Sequence, residues 1–450
     1  MAGPSPVPRT RVEQLVRQRR LTTQEFCAEF RAASQQIGRT MAVSERHASR
    51  WLAGRLGGLP HPATCRVLEH MFAEPAEELF GPPRLDPVVG AREPVVGHQD
   101  GPPEEATARS LEREIAMAAT ESARFGQFAE QTNVGPHTLE QFRADAARIV
   151  ATYPNRPVYP VFLELRELRD RVFELLEGRQ HPNQTRELYL VAGVLCGVLA
   201  NASFDLGWLA AAETQARTAF LCAELAGSNT LRAWVRGTQA LITYWDDRPR
   251  TAVDLAADGW RYVPEAGTAR VRLAAIEARA QGRLRDRRAT EGALRRAEQA
   301  RNEVAGEDDP GGMLAFPVAK QIFYAATARL WLGGAPDLVS AERHALEAVE
   351  LYHAEPPERR RLGELCLARL DLAAARLGRQ DLEGAADEVH EVLQVSARRR
   401  TDSVHRRLRQ VANALRRPHY QTSALAMDLW DEIMSFCGAP TVPALPGVAG

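Results

Sequence analysis

The sequence predicts an all-α protein, and three observations carry that prediction. From about residue 106 to Phe436 the chain is dominated by Ala, Leu, Arg and Glu, strong helix formers, with few β-branched runs. Its apolar residues recur at helical spacing, without the alternation of half-buried strands. The segments between them carry helix punctuation: Pro136 stands at a first-turn position, Thr138 followed by Gln141 has the spacing of a capping box, and Gly178 and Gly378 sit where C-terminal caps belong.

A chain of 450 residues with 45% hydrophobic content can bury ample core and divides into about three units. The longest apolar stretch, Leu188 to Ala200, is short of the roughly 20 residues a bilayer span needs, and no apolar run follows the N-terminal arginines. A cytoplasmic protein without a membrane segment is expected. Six cysteines lie far apart with no Cys-x-x-Cys pair, so neither a zinc site nor a disulfide framework is signalled and they read as small buried or half-buried side chains. Lys320 is the only lysine, a bias that reflects genome composition and receives no mechanistic weight.

The first unit, residues 1–80, breaks into short amphipathic pieces. The net charge of −1 argues against a wholly basic nucleic-acid binder, but residues 9–66 hold eleven arginines against four glutamates, a local charge of +7 suited to phosphate. Within residues 40–80 a small apolar residue at Val43 is followed by Ala48 five positions on, Trp51 eight on and Gly54 eleven on. Gly54 can end a helix in the left-handed conformation, and Val67, Leu68, Met71 and Phe72 then form the stripe of a closing helix. This pattern resembles the second half of the lambda-repressor-like, XRE-type helix-turn-helix family, although the expected second helix, within Thr23 to Gly38, is long and the loop after Gly54 carries about two extra residues. The resemblance implies that Val43, Ala48, Trp51 and Gly54 fix a recognition helix against the core and that Pro75 to Phe80 form a final short helix.

If Val43, Ala48 and Trp51 face inward, helical geometry turns Ser44, Glu45, Arg46, His47, Ser49 and Arg50 outward, where the resemblance implies a helix entering the major groove. Arg46 or Arg50 would pair with guanine, Glu45 would accept from cytosine N4, and Arg39 and Arg55 would contact phosphate. The competing reading is a small helical domain whose arginines merely face solvent.

Residues 81–105 form a linker: six prolines fall within the 23 residues from Gly81 to Pro103, with neither helical nor strand period. Residues 106–437 form the second unit, followed by a flexible tail, 438–450. Here a helix, a turn and a second helix opening on an alanine recur around Ala212, Ala252, Ala289, Ala341 and Ala385, at spacings of 40, 37, 52 and 44. A small residue lets paired helices approach closely, while Leu199, Phe220, Leu372 and Leu382 fill the layer between hairpins. Residues 188–395 thus resemble a tetratricopeptide array, an α-solenoid of helical hairpins, though the regular period of that family is about 34. The resemblance implies a concave groove lined by Asn201, Phe204, Trp234, Tyr244 and Gln281, an aromatic and amide mixture suited to a peptide or small organic ligand. Packing is the competing explanation for each of the five.

Enzyme signatures are missing: there is no P-loop, no Gly-x-Ser-x-Gly and no Gly-x-Gly-x-x-Gly. His390 to Gln394 lacks the second histidine of a zinc-protease helix, and the histidines of Tyr352-His353 and His181-Pro182, beside loops without convergent partners, read as ordinary surface histidines. Neither catalysis nor a metal or other cofactor is expected. The layout as a whole resembles actinobacterial helix-turn-helix regulators with a C-terminal sensor array. That resemblance implies double-stranded operator DNA as partner, a homodimer matched to the symmetry of its site, a peptide or small-molecule effector, and control of genes such as those for development or secondary metabolism. The alternative is a tetratricopeptide-type interaction scaffold without specific DNA binding.

Overall fold

A computed structural model describes residues 8–38, 41–54, 58–84, 103–396 and 401–438. The structure is all-α: among the described residues there are twenty α-helices and no strand. The chain divides into two compact units, Met1–Ala108 and Arg109–Gly450. The expected linker lies largely outside the described residues, and helix begins before its expected end, because α6 (Pro103–Ala129) starts on its last proline and crosses the unit boundary. Proline at a helix start gives up an N–H that would lack an intrahelical partner anyway.

In the first unit α1 (Arg11–Gln18), α2 (Thr23–Gln36), α3 (Glu45–Leu52), α4 (Pro62–Phe72) and the single turn α5 (Ala76–Leu79) enclose one apolar cluster. Each start is specified locally. Thr10 caps α1, Thr22 and Glu25 form a capping box on α2, and the Ser44 hydroxyl accepts from the His47 N–H on α3. The fully buried Phe26, Phe30, Val67 and Leu68 fill the centre. Trp51 packs its ring 5.9 Å from Phe30 and 6.3 Å from Phe80. Gly54 ends α3 at φ +66°, where a side chain would be strained and would press on Thr10. Arg11, almost buried, pairs with Glu74 at 2.7 Å and joins α1 to the α4–α5 turn.

The second unit opens with α6, exposed through residues 113–129, and continues through α7 (Pro136–Thr152) and α8 (Val158–Leu176). Five hairpins follow: α9 (Pro182–Asp205) with α10 (Leu209–Leu225), α11 (Asn229–Trp245) with α12 (Pro249–Trp260), α13 (Ala269–Arg283) with α14 (Arg287–Asn302), α15 (Val318–Leu332) with α16 (Ala335–Ala354), and α17 (Leu362–Gly378) with α18 (Leu382–Ser396). Helices α19 (Asp402–Leu415) and α20 (Ala424–Gly438) close the array. The first helices α9, α11, α13, α15, α17 and α19 touch in sequence and make an inner layer.

Three sequence features build the stack. Small residues at the fourth position of the second helix, Ala212, Ala252 and Ala385, are fully buried at the crossings, as is Ala341 in the longer α16. In α14 this place belongs to Thr290, fully buried, while the expected Ala289 is half-buried one residue away. Threonine preserves the register because its hydroxyl donates to the Asp286 carbonyl and leaves little bulk at the crossing. Gly282 lets α13 run against α15 so closely that a Cβ there would lie 2.5 Å from the Ala328 carbonyl oxygen. Finally, each hairpin turns on one left-handed residue: Gly207, Asp247, Arg285, Gly333 and Gln380, with φ between +59° and +86°.

Two expected caps are therefore corrected. The left-handed residue after α17 is Gln380, and Gly378 is the last residue of the helix itself. At α7 the N-cap is Gly135 without a side-chain cap; Thr138 does not act as one, and Gln141 donates instead to Asp145. Helix α9, unlike the shorter stretch expected, is long and apolar enough by composition to cross a membrane, and 78% of that window is buried inside the array.

The inner layer curls back on itself. Arg406 of α19 donates to the Trp245 carbonyl at the end of α11 at 3.2 Å, and Asn155 reaches the Glu358 carbonyl at 2.7 Å. Apolar packing divides into two main clusters, one spanning Val134 to Ala368 and one spanning Cys366 to Cys437, with α17 contributing to both.

Candidate functional site

Two places carry polar groups that packing does not use up. The first is the outer face of α3. Ala48 is fully buried and Trp51 nearly so, with Val43 packed partly against the same cluster. Successive residues turn about 100° around a helix, so Ser44, Glu45, Arg46, His47, Ser49 and Arg50 come to the opposite side, and all six are exposed. Ser44 and His47 are held to each other, since the capping hydroxyl also shares a 2.8 Å hydrogen bond with His47 Nδ1. Arg46 and Arg50 make no ion pair among the described residues. Of the expected phosphate contacts, Arg39 and Arg55 lie outside the described residues.

The second place is a cavity of about 90 Å³ on the inner layer, where α9, α11, α13, α15 and α17 converge with the start of α19. Its lining brings together four cations, Arg272, Arg279, Lys320 and Arg361, and two carboxylates, Asp205 and Glu364. Glu364 receives Lys320 Nζ at 2.7 Å, Arg361 at 3.3 Å and the Tyr352 hydroxyl at 2.8 Å. Burial alone would raise its pKa, but the two cations and these hydrogen bonds hold it down to about 2. Asp205 accepts from the Tyr153 hydroxyl at 2.7 Å and from Asn201 at 3.1 Å. Arg272 donates to the Trp234 carbonyl at 2.6 Å and to Thr238 at 3.1 Å, and burial lowers its pKa to about 10, which leaves it charged at neutral pH.

Arg279 differs from its neighbours. It is 1% exposed, its Nε has no hydrogen-bond partner, and no carboxylate pairs with it among the described residues. Instead the guanidinium sits among aromatic rings, 4.1 Å from the centre of Tyr324 and 4.4 Å from that of Tyr244, with Trp245 and Phe323 further out. Burial works against its charge, yet the tyrosine oxygens and Asp371 hold its pKa above the ordinary arginine value. Asp371 itself is occupied by Arg407 and Thr327.

Of the five residues expected to line the groove, Asn201 and Phe204 line this cavity. Trp234, 2% exposed, lines a second, shallower depression of about 550 Å³ between α7, α9 and α11. Tyr244 is buried with its hydroxyl accepting from Trp331 Nε1 at 2.7 Å, and half-buried Gln281 lines neither. The sequence reading missed Arg272, Arg279, Lys320, Arg361 and Glu364. Tyr352, beside the surface histidine His353, is fully buried against Glu364. The lone lysine was a visible signal, and its position beside a buried carboxylate gives it a role.

All six cysteines are free, and burial pushes the Cys196 and Cys366 thiols up to about 12, so they are inert packing groups. Among the described residues no cluster of His, Cys, Asp and Glu is arranged to hold a metal ion. No protein-family model matches the chain, and no curated protein matches it.

Proposed function

We propose that the chain is a sequence-specific DNA-binding transcriptional regulator that works as a cytoplasmic homodimer, with α3 as its recognition helix and the helical array as its effector-responsive part. The single observation that carries the reading is the division of α3 into two faces. Its apolar residues fix the helix to the core, and its polar residues, including two arginines with no ion pair among the described residues, are left to solvent. A helix of this kind on a locally basic unit fits the major groove, where arginine recognises guanine through two parallel hydrogen bonds. The effector would act by changing the curvature of the array and so the spacing of two recognition helices on their half-sites.

The test is selection of genomic fragments by the purified full chain, followed by titration of the enriched duplex at two salt concentrations for wild type and Arg50→Ala. Enrichment of a palindromic site is expected, with Arg50→Ala weakening it by about 1–3 kcal/mol while nonspecific binding persists. Weak, sequence-blind binding by both proteins would overturn the reading.

One observation favours a second reading, that of an interaction scaffold. Helix α6 leaves Ile115, Met117, Phe125 and Phe128 more than half exposed, the kind of surface a protein partner covers. On that reading the chain captures a protein partner through α6 and no duplex is selected.

A further inference from the structure

We infer that the central cavity is a binding site for a small organic carboxylate, with Arg279 as the residue that holds it.

The first argument is charge. Around the cavity four cations face two carboxylates, a local excess of two positive charges in a place largely removed from water. Glu364 is already shared by Lys320 and Arg361, and Asp205 is engaged by Tyr153 and Asn201. Arg279 is left with aromatic faces, the Tyr244 oxygen and no carboxylate paired with it among the described residues. Aromatic faces offset part of the cost of removing a guanidinium from water, but an unpaired buried charge remains expensive and is ordinarily paired. An anion entering the cavity supplies the directly paired carboxylate that Arg279 lacks among the described residues.

The second argument is shape and size. A cavity of about 90 Å³ holds about six to nine water-sized groups, the size of a small acid and far short of a peptide. Phe204, Trp245, Phe323 and Tyr324 form apolar walls, while Asn201, Thr401 and Ser403 offer neutral polar groups. Planar guanidinium is the side chain best matched to a carboxylate, which it can grip through two parallel hydrogen bonds. Flat walls beside a guanidinium select a carboxylate on a compact, unsaturated or short aliphatic body.

As the effector site of a regulator the cavity rests on the function proposed above; as a carboxylate site it stands by itself, and the test reads it without DNA. The full chain is titrated calorimetrically with benzoate, butyrate and malonate at up to about 10 mM, with benzamide as the neutral counterpart of benzoate. At least one carboxylate is expected to bind, with benzamide weaker than benzoate by about tenfold or more. Arg279→Met should weaken carboxylate binding by a similar factor, and Arg50→Ala should leave it unchanged. The comparison of benzoate with benzamide uses the unaltered chain, so it decides the matter even where Arg279→Met does not fold. Equal binding of the acid and the amide, undiminished binding by a folded Arg279→Met, or silence of all three carboxylates overturns the inference. Failure of operator selection leaves this result standing, and the reverse also holds.

Discussion

Replacing Glu364 by Gln removes one negative charge from a site that holds Lys320 and Arg361 within 3.3 Å. The size of the effect follows from the carboxyl's own titration. Its pKa falls from the ordinary 4.5 to about 2 on folding, and at about 1.4 kcal/mol for each power of ten the ionised form contributes about 3 kcal/mol. Because the folded value is the lower one, this stability is fully present above the unfolded value of 4.5 and is lost as the pH falls towards 2. Glu364→Gln should therefore lower the stability of the array by about 3 kcal/mol at pH 7, and the gap from wild type should narrow by about 1 kcal/mol at pH 4. Urea unfolding followed by tryptophan fluorescence at both pH values measures it. Equal stability at pH 7, or a gap that widens in acid, would refute the account of Glu364 as the shared counter-ion of two buried cations.

Three further substitutions probe other links. Gly282→Ala places a methyl group 2.5 Å from the Ala328 carbonyl, and the forced separation of α13 and α15 should cost about 1–3 kcal/mol in the same urea assay. Gln380→Gly relieves a side chain held at φ +68° and should raise the unfolding midpoint, by an amount equivalent to about 0.5–1 kcal/mol, where the same change inside a helix would lower it. Trp51→Ala empties the space between Phe30 and Phe80 and should destabilise the first unit by about 3–5 kcal/mol, read by amide hydrogen exchange in α2 and α4.

What could be read in advance depended on the distance between cause and effect. The α3 pattern was legible because Val43, Ala48, Trp51 and Gly54 act within three helical turns, and both faces came out as the spacing required. The hairpins were legible from buried alanines, with an error of one residue at α14, where a threonine could serve and sequence inspection favours an alanine. Three of the five hairpin turns use Asp247, Arg285 and Gln380 in the left-handed conformation, which hides them from a search for glycine. The cavity was not legible. Arg279 and Glu364 are residue types that ordinarily face water in helices, and their partners come from elsewhere in the fold: Tyr244 on α11 and Tyr324 on α15 for Arg279, Lys320 and Tyr352 for Glu364.

The division of the array's apolar packing into two clusters has a consequence for how it comes apart. The residues before α17 share one core and those after it another, so each block can melt with its own enthalpy and at its own temperature. The cavity is lined from both sides of that division: Arg279 belongs to the first block, and Thr401 and Ser403 to the second. A molecule touching both ends would weld the blocks into one cooperative unit. Its signature in calorimetry would be two overlapping heat-absorption peaks merging into a single, sharper one, a change in cooperativity visible even where the mean melting temperature hardly moves.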